Sequence, residues 1–412
     1  MKLTWTLKKI RALSRKFALI EDEEVRKILK KLADELIKNS GKICEANKQD
    51  LDKILKNDPI YDRVLLDKNR VKAMADSVRI VAYLDSPVGV QLEHRVLENG
   101  LDLRKVSVPF GVVGVIFEAR PNVIIDIFAL CFKSKNCCVL KGGSQAENSN
   151  KILIKIIKSV LGKWEDVATL LPNDRNLVGE FLKADKYVDV IVPRGGQGLI
   201  EFVRKNSSVP VIETGAGVVH VYFDKFGDVD KGREIVFNSK ISRPSVCNAL
   251  DTLIIHNSQL KNLRKICRPM EEKKVEIYAD KKAFKILEGD YSKNLLFKAE
   301  LKNFGKEYLS LKMSIKTVDS MEEAIEHINT FGSGHSESIV TEDRERSERF
   351  LKAVDAACVY VNASTRFTDG EEFGIGAEVG VSTQKLHARG PMGLKELTSY
   401  KWEIRGDGQV RW

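Results

Sequence analysis

Three sets of residues in this 412-residue chain have types and spacings that could do chemistry. The first is Cys247, in Ile241-Ser242-Arg243-Pro244-Ser245-Val246-Cys247-Asn248-Ala249-Leu250. A thiolate can take up an acyl group as a thioester, and nearby cations or helix N-termini favour it over the thiol. The commonest fate of an unbridged cysteine is that of a small buried hydrophobe. That reading suits Cys131, Cys137, Cys138 and Cys358, which lie in apolar runs, whereas Cys247 has serine, asparagine and Arg243-Pro244 close by. The second set is a pair of glycine turns, Lys141-Gly142-Gly143-Ser144 and Arg194-Gly195-Gly196, each between a strand-like run and a helix-like one. Glycines let a ligand approach the backbone, a helix N-terminus favours an anion, and Lys141 adds a cation. For the first turn alone, a plain connection with Ser144 as N-cap is an equal reading. Two such turns on one sheet edge favour a phosphate-bearing cofactor. The third is Asn122, in Ala119-Arg120-Pro121-Asn122-Val123. Its amide could donate to an oxyanion at a strand–helix junction, although a helix N-cap is the commoner role.

Other chemistry is not indicated. There is no Walker loop, GxSxG or HExxH, and no set of His, Cys and carboxylates has metal-ligand spacing, so no metal is expected. Gly374-Ile375-Gly376-Ala377-Glu378-Val379-Gly380 opens no early βαβ unit; a loop that needs glycines for backbone freedom is the better reading. His335 and His387 read as structural histidines.

The elements that must position these residues follow from periodicity. Val25, Ile28, Leu29, Leu32 and Leu36 mark one amphipathic helix, and Val71, Met74, Ala75 and Val78 another, within a helical first ninety residues. Asn99-Gly100 between extended segments signals a hairpin, which cannot bury itself and should lie on another domain or subunit. From Val106 the chain alternates: strands at Val112–Phe117, Cys137–Leu140, Val188–Val192, Val209–Ile212 and Val218–Phe223, with helices between. Alternation of this kind means βαβ units and a parallel sheet, with ligands at the carboxyl ends of its strands. A second alternating segment begins near Ser242, with strands at Leu250–Ile255, Val275–Tyr278, Leu309–Val318, Ser338–Thr341 and Cys358–Asn362. Its helices include one opened by the capping box Ser320-Met321-Glu322-Glu323. The tail from Tyr400, with Asp407-Gly408, reads as a closing hairpin.

Composition narrows the class. Hydrophobic content of 43% with 31% charged residues is that of a soluble globular protein of two or three domains. The net charge of +10 invites a nucleic-acid reading. Its lysines are interleaved with apolar residues along helices, with no arginine-rich tail, so solvated helix faces account for it and no nucleic-acid partner is expected. Seven cysteines without a CxxC pair indicate reduced thiols in a cytoplasmic protein. No apolar run approaches the ~18 residues of a spanning helix, and no signal-like segment opens the chain, so no membrane association is expected.

Five blocks resemble the γ-glutamyl phosphate reductase (glutamate-5-semialdehyde dehydrogenase) family of the aldehyde dehydrogenase superfamily. They are Val108 to Val123, Lys141 to Ser144, Ser242 to Leu250, Ala324 to Ile339 and Lys385 to Leu394. The block ending Ser333-Gly334-His335-Ser336-Glu337 looks like this family's own signature. The resemblance implies an α/β, aldehyde dehydrogenase-like fold, with two Rossmann-like parallel-sheet domains and a small β-hairpin oligomerisation element. The cofactor-binding domain would be 1–94 and 110–240, the catalytic domain 241–385, and the oligomerisation hairpin and tail 95–109 and 386–412. It implies NADPH-dependent reduction of L-glutamyl 5-phosphate to glutamate 5-semialdehyde, the second step of proline synthesis from glutamate. Cys247 matches the nucleophile and Asn122 the oxyanion asparagine. Lys141, with Gly142 and Ser144, matches the adenosine-ribose side, and Arg194, Gly195 and Gly196 the pyrophosphate side. Glu307 matches the nicotinamide-ribose glutamate. Arg120, Arg243, His387 and Arg389 are the candidates for gripping substrate, Arg243 and Arg389 also for the leaving phosphate. Glu213 aligns with the water-activating glutamate of oxidising relatives, a role that reduction does not need. A homodimer or higher homo-oligomer, and functional coupling to glutamate 5-kinase, are the implied partnerships.

Overall fold

The structure, a computed structural model, describes residues 3–56 and 58–411. The chain divides into two compact units. The first runs to Thr214 and regains Gly374–Gly380 and the segment from Pro391; the second holds Gly215–Phe373 and Val381–Gly390.

In the first unit the helical N-terminal region forms as its periodicity predicts. The helix Asp22–Lys38 buries Val25, Leu29, Leu32, Ala33 and Leu36. Three acidic residues in its first turn and Lys38 in its last match the helix dipole. β1 (Gln91–Val96) and β2 (Asp102–Pro109) pair antiparallel around the Asn99-Gly100 turn, with Gly100 at φ 86°. The C-terminal strand Thr398–Arg405 adds to the other side of β2 in antiparallel register. The tail therefore joins the hairpin as a third strand and forms no hairpin of its own: after the Asp407-Gly408 bend, Gln409 Nε2 donates to the Asn99 carbonyl at 3.0 Å.

β3 (Val112–Phe117), β4 (Cys137–Lys141), β5 (Ala168–Leu170) and β6 (Val190–Arg194) form a parallel sheet in the order β5-β4-β3-β6. All six residues of β3 are buried, and so are ten of the helix Val123–Lys133 that follows it. This is the all-apolar texture of elements covered on every side. Val209–Ile212 does not form a strand: a single bridge joins Val211 to Ile191. The chain winds from β3 through β4 to β5, then crosses to β6 on the far side of β3. That change of direction puts the ligand crevice of such a sheet at the carboxyl ends of β3 and β6.

The second unit is built on a seven-stranded parallel sheet. It contains β7 (His220–Phe223), β8 (Thr252–His256), β9 (Glu276–Ala279), β10 (Leu296–Lys298), β11 (Lys312–Val318), β12 (Ser336–Val340) and β13 (Cys358–Val361). Their order is β10-β9-β11-β8-β7-β12-β13. One face packs Val221, Leu253, Ile255, Ile277 and Ile315 against Leu263, Ile266 and Met270 of the helix Leu263–Glu272. The other packs Tyr222, Ile254 and Ile339 against Ile328 and Phe350. Each fully buried side chain of this size contributes roughly 1.5–3 kcal/mol, so the sheet is a rigid frame for the loops at its edges.

Candidate active site

One group of candidate residues lies on the carboxyl edge of the four-stranded sheet. Lys141 ends β4 and is buried; its Nζ donates to the Gly142 carbonyl at 2.6 Å and to Asn173 Oδ1 at 2.8 Å. Burial lowers its pKa, partly opposed by Glu147. An ammonium has three protons, so these two neutral acceptors leave one for a ligand. Ser144 beside it is exposed but caps no long helix: it opens a single 3₁₀ turn, and the helix Glu147–Leu161 begins after it. The N-terminal amides of that helix are already taken. Asp50 accepts from Asn148 N at 3.1 Å and from Ser149 N at 2.8 Å, so the chain supplies its own anion where a phosphate was expected.

The second glycine turn is similar. Arg194 ends β6, and Gly195 and Gly196 lead into the helix Gln197–Asn206. Glu118, just past β3, accepts from Gly196 N at 3.0 Å. A Cβ on Gly195 would come 2.4 Å from Glu118 Oε2, which is one reason the position is glycine. Gly142 is equally constrained, its Cβ position lying 2.3 Å from Asn150 Nδ2. In the Gly374–Gly380 loop three glycines have positive φ, and Gly380 lies against the Arg194 guanidinium.

Asn122 precedes the helix Val123–Lys133 but its side chain makes no capping bond. Its Nδ2 instead donates to Asp126 Oδ2 at 3.0 Å. Asp126 lies in apolar surroundings that raise its pKa to about 6, with the Asn122 bond and the Arg194 charge pulling the other way. Arg120, next to the positive-φ residue Ala119, is half-buried in the same junction. Glu213 lies 3.7 Å from Arg204.

The candidates of the other unit gather at the opposite kind of edge. Cys247 sits in a turn between the helix Val229–Ile241 and β8, so it meets the seven-stranded sheet at the amino end of a strand, not the carboxyl end that the alternation rule suggests. All seven cysteines are thiols; five are buried, while Cys247 and Cys44 are half-buried. The loop before β7 lies directly on the Cys247 turn: a Cβ on Gly217 would fall 1.6 Å from the Cys247 carbonyl oxygen. Glu307 holds this loop, accepting from Gly217 N at 2.9 Å.

Asp251 ties the start of β7 to the segment that follows Glu307. It accepts from Val219 N at 3.3 Å and from Tyr308 N at 2.9 Å. Burial pushes its carboxyl up to about 7, against the attraction of Lys240, and burial draws Lys240 down to about 8. The Ser333–Glu337 signature serves the same frame. Ser333 Oγ accepts from Val218 N at 2.9 Å, and Glu337 Oε2 accepts from His220 N at 2.9 Å and lies 3.0 Å from His220 Nδ1. His335 is buried, with Nδ1 2.8 Å from Ser336 Oγ, which lies 2.7 Å from Thr368 Oγ1. A set of residues that looks catalytic by type is therefore a buried polar layer that fixes loops.

Of the substrate-gripping candidates, Arg243 is exposed in the Cys247 turn. Arg389 is committed to Asp355, donating to its Oδ1 at 2.7 Å and its carbonyl at 3.0 Å, and Lys385 pairs with the same carboxylate. His387 is exposed with φ 68°. Sequence reasoning missed Glu118, Asp126, Gly217 and Asp251. The four-residue step from Asn122 to Asp126 was the one local signal among them; the others act across long stretches of chain. Among the described residues no group of His, Cys, Asp and Glu could hold a metal ion, and no helix is long and apolar enough to cross a membrane.

The aldehyde dehydrogenase family profile matches residues 6–281 and 307–402. A gamma-glutamyl phosphate reductase from Chlorobium phaeobacteroides (strain BS1) is 56% identical over 408 residues, covering 98% of each chain. One from Bacteroides thetaiotaomicron is 52% identical over 413 residues, covering 100% of this chain and 99% of its own. The crystal structure of gamma-glutamyl phosphate reductase from Thermotoga maritima has a TM-score of 0.94 at 39% identity, over 100% of both chains. The chain belongs to the aldehyde dehydrogenase family and, within it, to the gamma-glutamyl phosphate reductases.

Proposed function

We propose that this protein reduces L-glutamyl 5-phosphate to L-glutamate 5-semialdehyde and phosphate, with NADPH, through a thioester on Cys247, as the second step of proline synthesis from glutamate. The observation that carries the reading is the half-buried thiol of Cys247 in a turn held at its carbonyl by Gly217 and Glu307. A nucleophile must be reachable yet fixed, and the five buried thiols are not reachable.

In the forward direction the Cys247 thiolate forms a bond to the acyl carbon while the carbon–oxygen bond to phosphate breaks. Asn122 and the Cys247 amide are assigned to the oxyanion, in keeping with the family's pattern. Arg243 is the better placed of the two cations for the departing phosphate, because Arg389 is bound to Asp355. NADPH, when bound, supplies the hydride that reduces the thioester. Cys247 then leaves as thiolate as the aldehyde is released. No water attacks, so Glu213 has no general-base role.

The carboxyl edge of the four-stranded sheet fits a phosphorylated dinucleotide at one point above all. Lys141 is a buried cation held by two neutral acceptors beside the exposed hydroxyl of Ser144, which suits a 2′-phosphate and supports NADPH over NADH. Arg194, Gly195 and Gly196 would serve the pyrophosphate once Glu118 turns away from the Gly196 amide. Glu307 is assigned to the nicotinamide ribose. The three-stranded sheet of β1, β2 and the C-terminal strand exposes Leu92, Val96, Tyr400, Trp402 and Ile404, which supports homo-oligomerisation through that sheet. Functional coupling to glutamate 5-kinase, in the cytoplasm, follows from the lability of an acyl phosphate.

The test is NADP reduction with glutamate semialdehyde at varied phosphate. Wild type should require phosphate, and Cys247→Ala should lose turnover while keeping NADPH binding. Phosphate-independent oxidation by wild type, or turnover by Cys247→Ala, would sink the reading.

A further inference from the structure

The nucleophile turn has a partner that the family resemblance did not assign. The segment Ser364–Thr368 follows β13, folds back as a single 3₁₀ turn, and is bonded repeatedly to the residues around Cys247. Ser364 Oγ lies 2.9 Å from Ser239 Oγ, and Thr365 Oγ1 donates to the Asn248 carbonyl at 2.8 Å. Asn248 Nδ2 donates to the carbonyls of Thr368 at 2.9 Å and Arg366 at 3.3 Å. The guanidinium of Arg366 completes the set: its Nε donates to Ser242 Oγ at 2.9 Å and its Nη1 to Asn248 Oδ1. One side chain thus grips the residue immediately after Cys247 and another five residues before it.

We propose that Arg366 is a positioning residue for Cys247: its guanidinium fork fixes both ends of the nucleophile turn, and its charge favours the thiolate. This rests on the reading of Cys247 as nucleophile. Only a planar fork of donors can reach two acceptors on opposite sides of a turn in fixed geometry. The charge is half-buried, where attraction is screened less than at the surface. The ionisable groups that face Arg366 are Arg243, Asp369, Cys247 and Glu372. Burial and then Arg243 act against the Arg366 charge, while Asp369, Cys247 and Glu372 act in its favour.

The experiment is the pH profile of Cys247 alkylation by iodoacetamide in the full-length protein. It is read by mass spectrometry of the Cys247 peptide, so that the half-buried Cys44 does not interfere. Arg366→Gln should slow alkylation at pH 7 about tenfold and displace the profile to higher pH, as loss of one adjacent cation does. Its kcat should fall with little change in KM for the aldehyde. Arg366→Lys, which keeps charge but loses the fork, should stay within about threefold of the wild-type profile, with kcat still reduced. A folded Arg366→Gln protein with the wild-type profile overturns the proposal. So does an Arg366→Lys profile displaced as far as that of a neutral side chain, which decides the matter if the glutamine variant does not fold. Wild-type Cys247 reacting no faster than an ordinary exposed thiol would instead remove the nucleophile reading beneath it.

Discussion

Asp126 offers the sharpest physical test of the Asn122 junction. Its carboxyl rises from 3.8 to about 6 because burial disfavours the charged form, against the Asn122 bond and the Arg194 charge. At about 1.36 kcal/mol per pH unit, that displacement is worth about 3 kcal/mol as an upper bound. Incomplete burial of the side chain reduces it to roughly 1.5 kcal/mol. The sign is fixed by proton linkage. A carboxyl raised in the folded state holds its proton there more tightly than in the unfolded chain. Its contribution is therefore full below pH 3.8 and is lost as pH rises through about 6. Asp126→Asn removes the charge and keeps an oxygen that can accept from Asn122. It should leave stability unchanged near pH 4 and raise it above pH 7, by roughly 3–6 °C in the melting of a unit of this size. The assay is differential scanning calorimetry of both proteins from pH 4 to pH 8. A variant that melts lower at pH 8, or whose difference from wild type is the same at every pH, would refute the reasoning. Asp126→Ala separates stability from function. Without an acceptor for its Nδ2, Asn122 is no longer oriented, and kcat should fall about tenfold or more while that of Asp126→Asn stays closer to wild type.

Two further expectations rest on other contacts. Gly217→Ala places a methyl group where the Cys247 carbonyl oxygen already lies, 1.6 Å away, so the backbone must move; kcat should fall about 100-fold, the cost of displacing a reacting group by about 1 Å, with circular dichroism unchanged, and wild-type turnover would contradict the packing. Arg346→Ala strands the fully buried Asp224, which accepts from Arg346 Nε at 2.8 Å and Nη2 at 2.7 Å; it should cost about 3–5 kcal/mol at neutral pH. Because Asp224 has its pKa lowered in the folded state, the difference should shrink as acid protonates it, and denaturation at pH 7 and pH 3 checks both.

The sequence made the frame legible where burial is continuous. Val112–Phe117 appears where its apolar run predicts it because every side chain goes to the core, and the capped helix after Ser320 appears because its Met321, Ala324 and Ile328 share one buried face. Val209–Ile212 fails for want of a neighbour: beyond the bridge of Val211 to Ile191 nothing completes a ladder, and apolar alternation does not reveal a missing partner. The tail fails differently, because β2 offers its open edge to Thr398–Arg405 from nearly three hundred residues away. In the site, Cys247 was visible as a residue, but its supports were not. Gly217 and Arg366 meet the turn through tertiary contacts, and Asp251 holds Val219 and Tyr308 across long stretches of chain, so no local spacing announces them.

The same long-range pairing changes what the two glycine turns mean. A strand, two glycines and a helix suggest free amides waiting for phosphate. Here Asp50 already covers the amides of Asn148 and Ser149, and Glu118 covers that of Gly196. The Asp50 contact is buried and fourfold: its Oδ1 also accepts from Asn148 Nδ2, and its Oδ2 from Ser149 Oγ. Removing that carboxylate would leave several donors unsatisfied at about 1–3 kcal/mol each, so Asp50 is fixed in place. Glu118 is held at this turn by one bond on an exposed residue and can rotate into solvent at little cost. The two turns that look alike in sequence thus differ in kind. For the proposed cofactor, anion recognition beside Lys141 would come from side chains, and backbone recognition would be left to Gly196.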